Sequence, residues 1–174
     1  MRLTLAAVLL LAATPSFAMD LKSTDVTDGE TIAKQFVCPA QGGKSISPEL
    51  SWSGAPADAK SFAVSIFDPD APHGGHWHWQ AIDIPVAITE LKQGAGAPKA
   101  MPPGTMQLPN GAGHANYDGP CPPAGPAHHY HIVVYAMPTA GIAIPPDTGP
   151  DSVGHLLKRQ ALATAEMVPV FGRE

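Results

Sequence analysis

Three short segments carry most of the side chains that could hold a ligand or move a proton. Asp68-Pro-Asp-Ala-Pro72 sets two carboxylates among prolines. Proline fixes φ and bends the chain, so Asp68 and Asp70 are expected to be held at a strand end; a plain Asp-Pro turn is the other reading. In His76-Trp-His-Trp79, strand alternation places His76 and His78 on one face and Trp77 and Trp79 on the other, as an apolar wall beside the imidazoles. Gly119-Pro-Cys-Pro-Pro123 leads into His128-His-Tyr-His131. Carboxylates hydrogen-bonded to His78 and His128 favour the charged or correctly oriented ring, which offers an N–H to an anion. The Tyr130 hydroxyl and backbone N–H groups near Gly119 would add donors.

The same residues admit other chemistry. Zn²⁺ accepts His and carboxylate ligands, which leaves open a site from Asp68 or Asp70 with His78 and His128. Alternation points His128 and Tyr130 one way and His129 and His131 the other, so the three clustered histidines cannot share one ion. The helical H-x-x-x-H and the C-x-x-C spacings are absent, as are the serine elbow G-x-S-x-G and any phosphate- or dinucleotide-binding glycine loop. Cys121 beside His128 could act as a nucleophile only with a free thiol.

Elements must hold these groups in place. Ser61–Phe67 alternates with Phe62, Val64 and Ile66 on one face, which predicts a strand. His76–Ile84 is a second, with His76, His78, Gln80, Ile82 and Ile84 on one face and Trp77, Trp79 and Ala81 on the other. His129–Ala136 is a third, and Leu50–Ser53 a shorter one. Val153, Leu156, Leu157, Ala161 and Ala165 recur at helical spacing, with Asp151 or Ser152 as the cap. Met167–Phe171 reads as a terminal strand or extended tail. Between Gly94 and His129, 15 of 36 residues are Gly or Pro, which predicts a long loop stiffened by proline.

Composition agrees with loops on a β framework. The 174 residues include 20 Pro and 17 Gly, about a fifth of the chain against an average of roughly 12%. That excess excludes a mainly helical bundle. Net charge is −5, and the sole adjacent basic pair is Lys158–Arg159, so no cationic face for nucleic acid is expected. The length fits one domain. Arg2, the apolar run Leu3–Ala13 and Ser16-Phe-Ala18 have the form of a secretory signal peptide with cleavage after Ala18. The apolar run is too short for a span of about 20 residues. Residues 1–18 are therefore expected to be removed, leaving a single domain over 19–174 in the periplasm or outside the cell. There Cys38 and Cys121 could form one disulfide or remain as two buried thiols.

The motifs together resemble the phosphatidylethanolamine-binding protein family. The resemblance is carried by Asp68-Pro-Asp-Ala-Pro72, His78-Trp79, Tyr117-Asp-Gly-Pro-Cys-Pro-Pro-Ala-Gly125 and His128-His-Tyr130. Ile46-Ser-Pro-Glu-Leu-Ser-Trp52, Trp77-His78-Trp79 and the cysteine of Gly119–Pro123 are similar to the bacterial, Raf kinase inhibitor-like branch. The resemblance spans about residues 20–172. It implies a mainly β fold: an antiparallel β-sandwich with a large central sheet, a smaller sheet and a C-terminal helix. It also implies an anion pocket built from Asp68, Asp70, His78, His128 and Tyr130, with Pro122 and Pro123 on its rim. The function expected is binding of a small anionic or phosphorylated ligand, without catalysis and without a cofactor. Inhibition of an exported serine protease, or modulation of another exported protein partner, through the Pro-rich loop is the alternative, and an Asp/His hydrolase, with or without metal, stands third. The Trp- and Pro-rich surfaces leave room for a homodimer.

Overall fold

A computed structural model describes residues 18–173. The signal segment expected over 1–18 lies, apart from Ala18, outside the described residues. The strands are β1 Asp20–Lys22, β2 Leu50–Ser53, β3 Ser61–Asp68, β4 His76–Pro85, β5 Glu90–Leu91, β6 Met106–Gln107, β7 His128–His129 and β8 His131–Met137. Helix α1, Pro150–Gln160, then precedes β9 Ala163–Met167 and β10 Val170–Phe171. A five-stranded sheet in the order β6-β4-β3-β8-β9 faces a three-stranded sheet β1-β2-β5, with a separate pair β10-β7. Every one of these pairings is antiparallel.

Alternation builds two cores. Phe62, Val64 and Ile66 of β3 and Ile132, Val134 and Ala136 of β8 turn inward onto Leu50, Trp52 and Leu91 of the smaller sheet. Trp52 meets Phe62 edge-on with ring centres 5.2 Å apart. On the outer face, Ala63, Ile82, Tyr135 and Met137 are covered by Val153 and Leu157 of α1. Each fully buried aliphatic side chain of this kind contributes about 1.5–3 kcal/mol.

Two features of α1 differ from the sequence reading. The helix opens at Pro150 behind Gly149, not at an Asp151 or Ser152 cap. Proline at the first position needs no N–H partner and arrives with φ already set. The helix also stops at Gln160, and Ala165 belongs to β9, where it pairs with Val134 of β8. Pairing along five residues of a sheet edge outweighs the helical periodicity there.

Strand β4 departs from simple alternation twice. Phe62 faces Ile84 while Val64 faces Ala81, so β4 holds one extra residue, and Asp83 adopts φ 59°. This bulge turns Ile84 inward beside Trp79 and Ala81 while Ile82 stays on the outer face. Further along, Ile66 faces Trp79 and Phe67 faces Trp77, which leaves His78 as a second extra residue. The two tryptophans therefore do not form one wall. Trp79 is fully buried in the inner core, whereas Trp77 lies against Phe67 and α1.

The Pro/Gly-rich stretch is ordered by running back along β4. Leu108, Gly111 and Asp118 donate backbone N–H groups to the carbonyls of Gln80, Trp77 and His78 at 2.9, 2.9 and 3.0 Å. The Tyr117 hydroxyl donates to the Phe36 carbonyl at 2.9 Å. A disulfide joins Cys38 to Cys121 with Cα atoms 5.4 Å apart, inside the range such a bond requires. Of the two readings of the cysteines, the bridge is the one found, and Cys121 has no thiol to serve as a nucleophile.

Candidate ligand-binding site

Where β3 ends, the chain turns through Asp68 into Pro72–Gly74 and returns as β4. Asp68 is 3% exposed, and its Oδ1 accepts the N–H groups of Asp70 and Ala71 at 2.9 and 3.1 Å. These bonds close the turn and aim the second oxygen at the histidines. Oδ2 accepts from His128 Nδ1 at 2.8 Å and lies 4.0 Å from His78 Nε2. Burial alone would raise the Asp68 pKa, yet His78 and the His128 hydrogen bond outweigh it and hold the carboxyl below the ordinary range.

His78 is fixed from its other side. Its Nδ1 lies 2.8 Å from the Asp118 carbonyl oxygen, which can only accept, so Nδ1 carries the proton and Nε2 points towards Asp68. Asp118 is itself immobilised: Asn110 and His114 donate to one carboxylate oxygen, each at 2.8 Å, and Asn116 to the other at 3.0 Å. Although burial opposes it, these donors keep the Asp118 carboxyl below its usual value. His76 stacks edge-on to His78 with ring centres 4.9 Å apart, and burial together with the His78 charge depresses its pKa.

These groups surround a cavity of about 590 Å³ lined by Asp68, His73, His76, His78, His114, Asp118 and His128, with Ser45, Ala71 and Pro72. Pro39, Cys38, Gly119, Cys121, Pro122 and Pro123 complete the wall. No lysine or arginine lines it. Among the described residues, no group of three His, Cys, Asp or Glu side chains is placed to hold a metal ion.

Six of the eight expected ligand residues line this cavity: Asp68, His78, Gly119, Pro122, Pro123 and His128. Asp70 does not. It stands exposed on the far side of the turn, where the hydrogen bonds from the His129 ring and backbone N–H, at 2.7 and 2.8 Å, lower its pKa. Tyr130 lies fully buried behind His78, ring centres 5.3 Å apart, and its hydroxyl has no hydrogen-bond partner. Burial, with the Asp68 charge beside it, pushes that phenol far up and keeps it neutral.

Gly119 contributes space and not a donor, because its N–H is spent on Ser45 Oγ at 3.1 Å. A Cβ there would meet the Phe36 carbonyl oxygen at 2.5 Å and the Val37 carbonyl carbon at 2.6 Å. Gly119→Ala is accordingly expected to cost about 1–3 kcal/mol, since backbone must move to admit the methyl. The measurement is the urea midpoint, and an unchanged midpoint would contradict the close approach.

Sequence reasoning did not select His73, His76, His114, Ser45 or Asp118 as site residues. Asp118 lies inside the Tyr117–Gly125 motif, but the atom it gives His78 is a backbone carbonyl, which leaves no mark on residue type. His114 reaches the site through a loop without periodicity.

The family model for phosphatidylethanolamine-binding protein matches residues 22–172, and the chain belongs to that family. Within it, the chain sides with bacterial members. It is 39% identical to the UPF0098 protein YbcL of Escherichia coli K12 over 160 residues, covering 88% of this chain and 87% of that one. It is 34% identical over 166 residues to the putative lipoprotein LppC of Mycobacterium tuberculosis, covering 92% and 77%. The crystal structure of E. coli YbcL, described as a member of the mammalian PEBP family, superposes with a TM-score of 0.85 at 36% identity, over 90% of this chain and 99% of that one. A PEBP homologue from Chlamydia trachomatis gives 0.76 at 28% identity, over 91% and 100%.

Proposed function

We propose that this protein is an exported binding protein that captures a small phosphorylated or otherwise anionic group in the Asp68–His78–His128 cavity, without turning it over. The observation that carries the reading is the orientation of the imidazoles. His78 and His128 each commit Nδ1–H to a fixed oxygen, at 2.8 Å in both cases, and both rings line the cavity. With no lysine or arginine on the wall, an anion must be met by imidazole N–H groups, and Asp68 supplies the charge that keeps His128 oriented. Binding should therefore be coupled to proton uptake. Export is supported by the disulfide and by similarity to a putative lipoprotein.

The test is calorimetry with O-phosphoethanolamine at pH 6 in two buffers of different ionisation enthalpy. Wild type is expected to bind with proton uptake. His128→Ala is expected to lose about tenfold or more in affinity, the worth of one charge-assisted hydrogen bond. Equal affinity in the two proteins would refute the assignment.

A further inference from the structure

A second cavity, of about 640 Å³, lies on the opposite side of the Asp68–Gly75 turn, between α1 and the outer face of the large sheet. His73, at φ 64°, stands in the wall common to both. The floor is aromatic and aliphatic: Phe67 and Trp77, with ring centres 4.5 Å apart, followed by Val133 and Tyr135. Deeper down, Tyr135 and Ser65 satisfy each other at 3.1 Å, so the floor presents no unpaired polar atom of its own.

The chain is shaped to put Trp77 there. Gly154 of α1 leaves the space its ring occupies, and a Cβ at that position would lie 2.1 Å from Trp77 Cη2. The indole N–H donates to Asp151 at 2.6 Å. None of this serves the Asp68 cavity, which Trp77 does not line.

The rim sets where a charged group of a ligand can be met. Its two carboxylates are occupied, Asp151 by the Trp77 indole and Glu166 by His131 Nδ1 at 2.7 Å. Lys158 and the His155 ring, one turn apart on α1, make no ion pair with a carboxylate among the described residues. An apolar floor beside an ammonium that pairs with no carboxylate matches a flat amphipathic body whose own carboxylate reaches Lys158. We infer that the Phe67–Trp77 cavity is a second binding site that takes an aromatic carboxylate, its ring on Phe67 and Trp77 and its carboxylate at Lys158.

The three tryptophans make the test selective, since the Trp52, Trp77 and Trp79 indole N–H signals can be followed separately in a ¹⁵N-labelled sample. With 2-naphthoate as probe, the Trp77 signal is expected to shift in a saturable way while those of Trp52 and Trp79, both in the inner core, stay in place. Lys158→Glu, an exposed change that leaves the floor intact, should weaken binding about tenfold. Thr164→Phe, which fills the cavity from the exposed side of β9, should weaken it too. Inorganic phosphate should leave Trp77 unmoved, which separates this site from the one at Asp68. A Trp77 signal that does not shift at millimolar naphthoate would overturn the inference. So would unchanged affinity in Lys158→Glu, or equal binding of the neutral 2-naphthalenemethanol.

Discussion

Asp68→Ala is expected to destabilise the protein by about 3 kcal/mol or more at pH 7, since each buried donor left without its acceptor costs about 1–3 kcal/mol. Three donors lose their acceptor at once: the N–H groups of Asp70 and Ala71 and the Nδ1–H of His128. Asp68→Asn separates the contributions. Its amide oxygen can still close the turn, but its nitrogen cannot accept from His128, so the loss should be smaller and confined to the histidine side. The pH dependence has a definite sign. The Asp68 pKa in the folded protein is depressed below its unfolded value of about 3.9. Its charge therefore stabilises the fold fully above that value and ceases to do so as pH falls through the folded pKa. Urea unfolding should show wild type ahead of Asp68→Asn at pH 7, with the gap closing below about pH 4. A gap of constant size across that range would show that ionisation of Asp68 has no part in stability.

The second large effect comes from the disulfide. Cys38 and Cys121 are 83 residues apart in sequence, and closing a loop of that size removes enough unfolded-chain entropy to contribute about 4–5 kcal/mol. The bond also ties the Pro39 and Pro122–Pro123 sides of the cavity together. Cys38→Ser/Cys121→Ser is expected to lower the unfolding free energy in urea by that amount and to weaken phosphoethanolamine binding, because both walls would loosen. Wild type in reductant should match the double variant. On the export proposed above, the mature chain should begin at Met19, and its intact mass should fall two hydrogens short of the reduced chain. Two titratable thiols in that material would contradict the bridge.

Much of the architecture is legible in period-two patterns, because β3 and β8 separate two cores and each residue's face follows from its neighbours. Phe62, Val64 and Ile66 needed no further information. Strand β4 did, since a bulge is a property of two paired strands. Nothing in His76–Ile84 alone reveals that Asp83 and His78 each take an extra place against β3. The helix boundary was lost for a related reason, as Ala163–Met167 chooses its state by pairing with β8. In the site, Asp68, His78 and His128 were legible as an acid among imidazoles. The Asp118 carbonyl that orients His78 was not, because every residue has one.

The backbone path of the Pro/Gly-rich loop bears on how the protein behaves among its own copies. By donating to the carbonyls of Trp77, His78 and Gln80, this segment occupies hydrogen-bonding positions on β4 that an outer strand would otherwise leave open. Exposed sheet margins are templates on which foreign strands polymerise, and long bare ones drive aggregation. Here the chain shields that margin with its own loop, and β6 adds only two residues of regular pairing beyond it. Strand addition at that side would require stripping the loop away, and with it Asp118, from the candidate site. Integrity of the binding cavity and resistance to fibril-like association are thus secured by the same hydrogen bonds.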